Sequence, residues 1–172
     1  WGALPTGKTI MREISTPLNL DLERYRNLGD LLWQRAEAGP DHIIFEVPGE
    51  SGEVTQISTA EFKAQVVAVA KGLVASGIEP EQRVAILSAT RFEWALLDLA
   101  MQVIGAVVVP VYESSALAQV QLILDDSDAV AAIGASSDHV DRLRQAFAEL
   151  GRSGAQVWGM DAEGAPTLDD LR

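Results

Sequence analysis

Arg83-Val-Ala-Ile-Leu87, Ser88-Ala-Thr-Arg-Phe-Glu-Trp94 and Ile104-Gly-Ala-Val-Val-Val-Pro-Val-Tyr-Glu113 together decide the fold. Two of these stretches contain runs that are apolar at nearly every position. Such a run suits a strand covered on both faces; a half-exposed strand would alternate. Between them, past its first turn, Phe92–Ile104 carries only Asp98 and Gln102 as polar residues, four apart and on one narrow stripe. That spacing predicts a buried helix, with Thr90-Arg-Phe-Glu93 as a capping box at its start and Phe92 and Trp94 in the core. Gly105 stands where a left-handed helix cap belongs. A strand, a helix and a second strand in this order require parallel pairing, because the connection must travel back along the sheet.

The alternation continues on both sides. Downstream, Ser114 or Ser115 is expected to cap a helix bearing Leu117, Val120 and Leu124. Ala129–Ile133 reads as the next strand. A helix over Asp138–Leu150 then presents Val140, Leu143, Phe147 and Leu150 on one face, and Gln156–Met160 is a weaker last strand. Upstream, Leu28–Ala36 has helical spacing and stops at Gly39-Pro40. Ile43–Val47 and Val54–Ile57 flank a Gly/Pro-rich loop as a hairpin. Ser58-Thr-Ala-Glu61 is a capping box for a helix with Phe62, Val66, Val69 and Leu73 on its inner side, ending at Gly77. The fold class expected is α/β: a doubly wound, mainly parallel sheet with a small β-hairpin in front.

The 172 residues suffice for one ordinary domain, and 48% hydrophobic with 22% charged residues provides a core. A net charge of −12 repels nucleic-acid phosphates, so no nucleic-acid partner is expected. No cysteine occurs, which excludes disulfides, thiolate catalysis and cysteine metal sites, and suits a reducing compartment. The longest nearly apolar run, Trp94–Val111, is interrupted by Asp98, Gln102, Gly105 and Pro110, so no transmembrane segment is expected. A cytoplasmic location follows by elimination, with attachment at a membrane surface left open. Trp1–Ile10 reads as a leader or an appended stretch and residues 11–172 as the folded unit. Thr167–Leu171 looks like the start of a further helix, and an ending there suits a piece cut from a larger domain.

Parallel sheets bind ligands at the carboxyl ends of their strands. The loops in that position are Ser88-Ala-Thr90, Tyr112-Glu-Ser-Ser115 and Gly134-Ala-Ser-Ser137. None is a glycine-rich phosphate loop, and none of the three lysines, Lys8, Lys63 and Lys71, lies at a strand end. A dinucleotide-binding enzyme is therefore disfavoured. Tyr112 and Glu113 are the candidates for substrate contact, being polar and at a strand's carboxyl end, although loop structure explains them as well. His42 and His139 lack a nucleophile pattern nearby and read as surface or edge residues. Asp125-Asp-Ser-Asp128, at a helix C-terminus, reads as a solvated helix end and not as a metal site, although carboxylates there oppose the helix dipole.

The order of these segments resembles the beginning of the adenylate-forming superfamily, particularly long-chain fatty-acid–CoA ligases of the bacterial type. Gly77-Ile-Glu-Pro-Glu-Gln-Arg-Val-Ala-Ile-Leu87, after the Ser58–Leu73 helix, is similar to the family's first core motif, with Gln82 where Asp is usual. Thr90-Arg-Phe-Glu-Trp94 is similar to its Asn-Arg-x-Glu-Trp turn. Gly105–Tyr112 fits its Gly-Ala-x-x-Val-Pro-x-Tyr pattern, and Tyr112-Glu-Ser-Ser115 resembles the long-chain branch. Leu122-Ile-Leu-Asp-Asp-Ser-Asp128 resembles the segment before the next strand. The match is close over Met11–Ile133 and holds only by pattern beyond.

The resemblance implies an acid–thiol ligase that uses ATP, Mg and CoA to convert a fatty acid to acyl-CoA, AMP and pyrophosphate. In that family the phosphate loop, the nucleotide contacts and the catalytic lysine come from later sequence. Carried over position by position, the catalytic, cofactor-binding and metal residues here are none. The piece is expected to bind no cofactor and to be inactive alone, with self-association through an exposed sheet edge. Two other readings stay open: a small nucleotide- or CoA-binding module, and a ligand-free assembly module.

Overall fold

The computed structural model describes residues 15–17, 27–49, 51–162 and 165–171. The expected leader, Trp1–Ile10, lies outside them. In chain order the elements are α1 (Leu28–Ala38), β1 (Ile43–Pro48), β2 (Val54–Ser58), α2 (Thr59–Ala75), β3 (Arg83–Leu87), α3 (Phe92–Ile104), β4 (Val107–Val111), α4 (Leu117–Asp126), β5 (Ala131–Gly134), α5 (Ser137–Glu149) and β6 (Gln156–Gly159). A 3-10 turn at Leu168–Leu171 follows.

β1 and β2 form the antiparallel hairpin. The other four strands form one parallel sheet in the order β4-β3-β5-β6. The chain leaves β3 toward one edge, returns past it to β5 and ends at the other edge. Right-handed crossovers then put α3 on one face and α4 and α5 on the other. Packing confirms this strand by strand. Val84 and Ile86 of β3 bury against α2 and α3, while Ala85 and Leu87 bury against α4 and α5. The two faces of one strand thus feed two cores, which is why its sequence is apolar throughout.

The hairpin packs on the α2–α3 side through Phe45, whose ring lies 4.8 Å from Phe62 and 5.4 Å from Phe92. Phe62, Val66, Val69 and Leu73 are all buried, and Val140, Leu143 and Phe147 are buried on the opposite face. Each such side chain contributes about 1.5–3 kcal/mol by leaving water. Gly105 adopts φ 76° at the end of α3.

Several local expectations are corrected. Ser58 and Glu61 do form a reciprocal capping box on α2, but Thr90 caps nothing. The N-cap of α3 is Arg91, without a side-chain capping bond, and Glu93 accepts from the Arg91 guanidinium at 2.5 Å. An ion pair has displaced the box. Neither Ser114 nor Ser115 caps α4. Ser115 N–H donates to the Tyr112 carbonyl at 2.9 Å, closing a turn, and the N-cap is Ala116, whose N–H donates to the Gln119 side chain at 3.0 Å. α3 is buried on one side only, at Leu96, Leu97, Ala100 and Met101; Phe92 and Trp94 are half-buried.

Candidate functional site

The carboxyl ends of β3 and β4 frame a hollow of ≈ 210 Å³, lined by Ser88, Thr90, Trp94, Pro110, Val111 and Tyr112. Each wall follows from the local fold. Ser88 and Thr90 leave β3 in the short loop to α3, Trp94 sits in the first turn of α3, and Pro110 to Tyr112 are the last residues of β4 and its exit. Ser88 is buried, and its hydroxyl donates to the Ala89 carbonyl at 2.7 Å. Tyr112 is 84% exposed, so its ring stands at the rim and does not pack. Of the two candidates, Tyr112 borders this hollow. Glu113 lies one residue further on, exposed, with its backbone engaged elsewhere.

The chain reverses its winding between β3 and β5, whose carboxyl ends form the place where open α/β sheets commonly hold ligands. This place is tightly closed by backbone. Ala135 N–H donates to the Leu87 carbonyl at 3.0 Å and Met160 N–H to the Gly134 carbonyl at 2.9 Å. A Cβ on Gly134 would stand 2.8 Å from the Val140 nitrogen, so only glycine lets α5 start this close to the strand.

His139 sits in the first turn of α5, half-buried at the edge of the helix. Its Nδ1 is buried without a hydrogen-bond partner among the described residues. Burial first, then the neighbouring Arg142 charge, push its pKa below the usual histidine value, against weaker opposition from Glu113, Asp138 and the Leu87 carbonyl. The imidazole is thus held neutral. His42, in contrast, is exposed beside the hairpin.

Two arginines reach the strand ends, and residue order gave no sign of either. Arg91 is bound by Glu93 and, from beyond β6, by Asp161. These carboxylates, Glu93 before Asp161, raise the pKa of the guanidinium further. Arg142 donates to the Glu113 carbonyl at 3.2 Å and the Ser115 carbonyl at 2.9 Å, tying α5 to the β4 exit. Both cations serve the protein's own groups. With no lysine at these ends and no glycine-rich loop, the described residues do not fit a nucleoside triphosphate.

In the acidic stretch that ends α4, Asp125 and Asp128 are paired internally. Arg152 donates to the Leu124 carbonyl at 3.2 Å and pairs with Asp125 at 3.2 Å and Asp128 at 3.4 Å; Arg83 pairs with Asp128 at 3.6 Å. These guanidinium groups offset the unfavourable carboxylates at that helix terminus. Among the described residues no group of three acidic or histidine side chains is placed to hold a metal ion, and no helix is long and apolar enough to cross a membrane.

Comparison with known proteins extends these observations. The AMP-binding enzyme family matches residues 32–170. The Long-chain-fatty-acid--CoA ligase FadD15 of Mycobacterium bovis is 38% identical over 135 residues, 78% of this chain and 22% of that protein. The chain therefore spans about a fifth of the length of this relative. Rv1549 of Mycobacterium tuberculosis, which bears the name Uncharacterized protein, is 28% identical over 122 residues, 71% of this chain and 67% of that one. The crystal structure of the N-terminal domain of FACL13 from Mycobacterium tuberculosis superimposes with a TM-score of 0.69 at 26% identity, covering 86% of this chain and 36% of that one.

Proposed function

Because this chain belongs to the AMP-binding enzyme family, we propose that it supplies the N-terminal scaffold of an ATP-dependent long-chain fatty-acid–CoA ligase. The whole protein converts a fatty acid, ATP and CoA to acyl-CoA, AMP and pyrophosphate, with Mg and the nucleotide held by residues outside this stretch. The family match supports the class, and the mycobacterial ligase supports the long-chain substrate. In this reading residues 11–172 are the front of the AMP-binding domain, and the protein works in the cytoplasm.

The observation that carries the scaffold role is the fate of Arg91 and Arg142. Acyl adenylation needs donors aimed at developing negative charge, and the strand-end cations here are already spent on Glu93, Asp161 and two backbone carbonyls. The chain alone is therefore inactive. Tyr112 and Glu113 contribute the rim of a substrate-side surface that later sequence completes. Self-association is proposed through the open edge of β4, where Val107 is 46% exposed; Pro110 removes one backbone donor and restricts pairing to the strand's first half.

A chimera tests the role. The matched 135 residues of the mycobacterial ligase are replaced by those of this chain and palmitoyl-CoA formation is measured. Retained synthesis is expected, with an additional loss when Tyr112→Ala is introduced. A folded chimera that binds ATP yet forms no acyl-CoA would count against it. A second reading, a stand-alone nucleotide- or CoA-binding or assembly module, is favoured by the relative of which this chain covers 67%. Saturable CoA binding by the chain alone would select it.

A further inference from the structure

His139 and Arg142 lie three residues apart in α5, so their side chains leave the same face of its first turns. The Arg142 guanidinium holds the β4 exit through the Glu113 carbonyl at 3.2 Å and the Ser115 carbonyl at 2.9 Å. His139 Nδ1 is buried without a hydrogen-bond partner among the described residues. The Glu113 carboxylate forms no ion pair among the described residues and lies within electrostatic reach of the imidazole. The other charges that bear on the ring are Arg142 and Asp138 from its own helix, and β3 presents the Leu87 carbonyl. β5 and β6 carry no charged residue, and the acidic residues of α4, Asp125 and Asp126, stand at its far end, on the amino-terminal side of the sheet. Asp141 and Arg144 pair with one another at 3.9 Å.

A neutral imidazole leaves these contacts undisturbed. A proton taken from solvent at Nδ1 creates a cation where no acceptor waits, which burial makes costly. The new charge stands one turn from Arg142 and repels it. It also sits in the first turn of a helix, where the dipole disfavours positive charge. The ring has no room to withdraw. The Ser136 hydroxyl accepts from His139 N–H at 3.3 Å, and a Cβ on Gly134 would stand 2.8 Å from the Val140 nitrogen, so the start of α5 is pressed onto β5. The loop is free to yield, because Tyr112, Glu113 and Ser114 are exposed. We propose that His139 is a proton-operated latch on the β4 exit. Protonation displaces the Arg142 guanidinium from the two carbonyls, draws the Glu113 carboxylate to the imidazolium, and releases Tyr112–Ser115 at the rim of the strand-end hollow. The latch is a property of the fold and holds whether or not the protein makes acyl-CoA.

Amide chemical shifts of the 172-residue chain, followed from about pH 7.5 downward until the His139 Cε1–H resonance has titrated, test the latch. The amides of residues 112–116 should move with the midpoint of His139 and not with that of His42, which is exposed beside the hairpin and serves as the internal reference. Exchange at Ser115, corrected for the intrinsic effect of pH, should accelerate about tenfold or more across the transition, the scale of a lost hydrogen bond to a charged group. His139→Gln should abolish the transition at residues 112–116. Glu113→Gln, at an exposed position that the fold tolerates, should lower the common midpoint, and it carries the test if His139→Gln does not fold. The proposal is overturned if the shifts of residues 112–116 stay fixed while His139 titrates, if their transition survives in folded His139→Gln, or if Glu113→Gln leaves the midpoint unchanged or raises it.

Discussion

The Arg142 guanidinium donates to the Ser115 carbonyl at 2.9 Å, joining the first turns of α5 to the loop that leaves β4. One side chain thereby fixes Tyr112–Ser115, the loop that borders the strand-end hollow. Arg142→Ala should cost about 1–2 kcal/mol, since a charged donor to two carbonyls is lost. Urea unfolding gives the magnitude. Amide exchange should accelerate at residues 112–116 and stay unchanged in β6.

The Leu171 backbone crosses α2 at Gly72, where an added Cβ would overlap the Leu171 carbonyl. In an open helix, glycine to alanine gains about 1 kcal/mol. Here Gly72→Ala should instead lose about 1–3 kcal/mol, the usual cost of overpacking. Deleting residues 166–172 should reverse the sign of the substitution. A double-mutant cycle from urea melts reads the coupling directly.

His139 carries the pH dependence. Its folded pKa is lowered, so the unfolded chain binds the proton more readily. The stability it contributes is present above the unfolded value, about 6.5, and is lost as pH falls through the folded one. Urea melts at pH 7.5 and 5.0 should differ by more in the natural sequence than in His139→Gln. Equal differences would show that the imidazole is not desolvated.

Helix capping separates two serine/threonine positions that look alike in sequence. Ser58→Ala should cost about 1 kcal/mol, because its hydroxyl accepts from Glu61 N–H. Thr90→Ala should stay within about 0.5 kcal/mol, the usual range for a surface change, as Thr90 makes no cap on α3. Thermal melts of the two variants check the contrast.

These cases mark what could be read from residue order. β3, the cap at Gly105, the Ser58–Glu61 box and the apolar faces of α2 and α5 were legible, because each signal is completed within a few residues. Thr90 misled because Arg91 offered Glu93 a stronger partner than a backbone N–H. Ser114 and Ser115 misled because a turn closed by Ser115 N–H on the Tyr112 carbonyl moves the helix start on to Ala116. Tyr112 and the strand-end hollow followed from the rule for parallel sheets. The Arg91–Asp161 and Arg142–Glu113 contacts join residues 70 and 29 positions apart. No local pattern announces them, and the acidic composition hid the internal use of the arginines.

The central claim is that the strand-end groups of this chain are satisfied by one another and leave nothing to hold a triphosphate. Titration of the 172-residue chain with Mg–ATP, followed by amide chemical shifts, tests it most directly. The account predicts no saturable shift at residues 88–91, 112–115 or 134–142, and no ATP–pyrophosphate exchange above buffer. Saturable shifts confined to those loops, with displacement of Arg91 from Asp161, would contradict it.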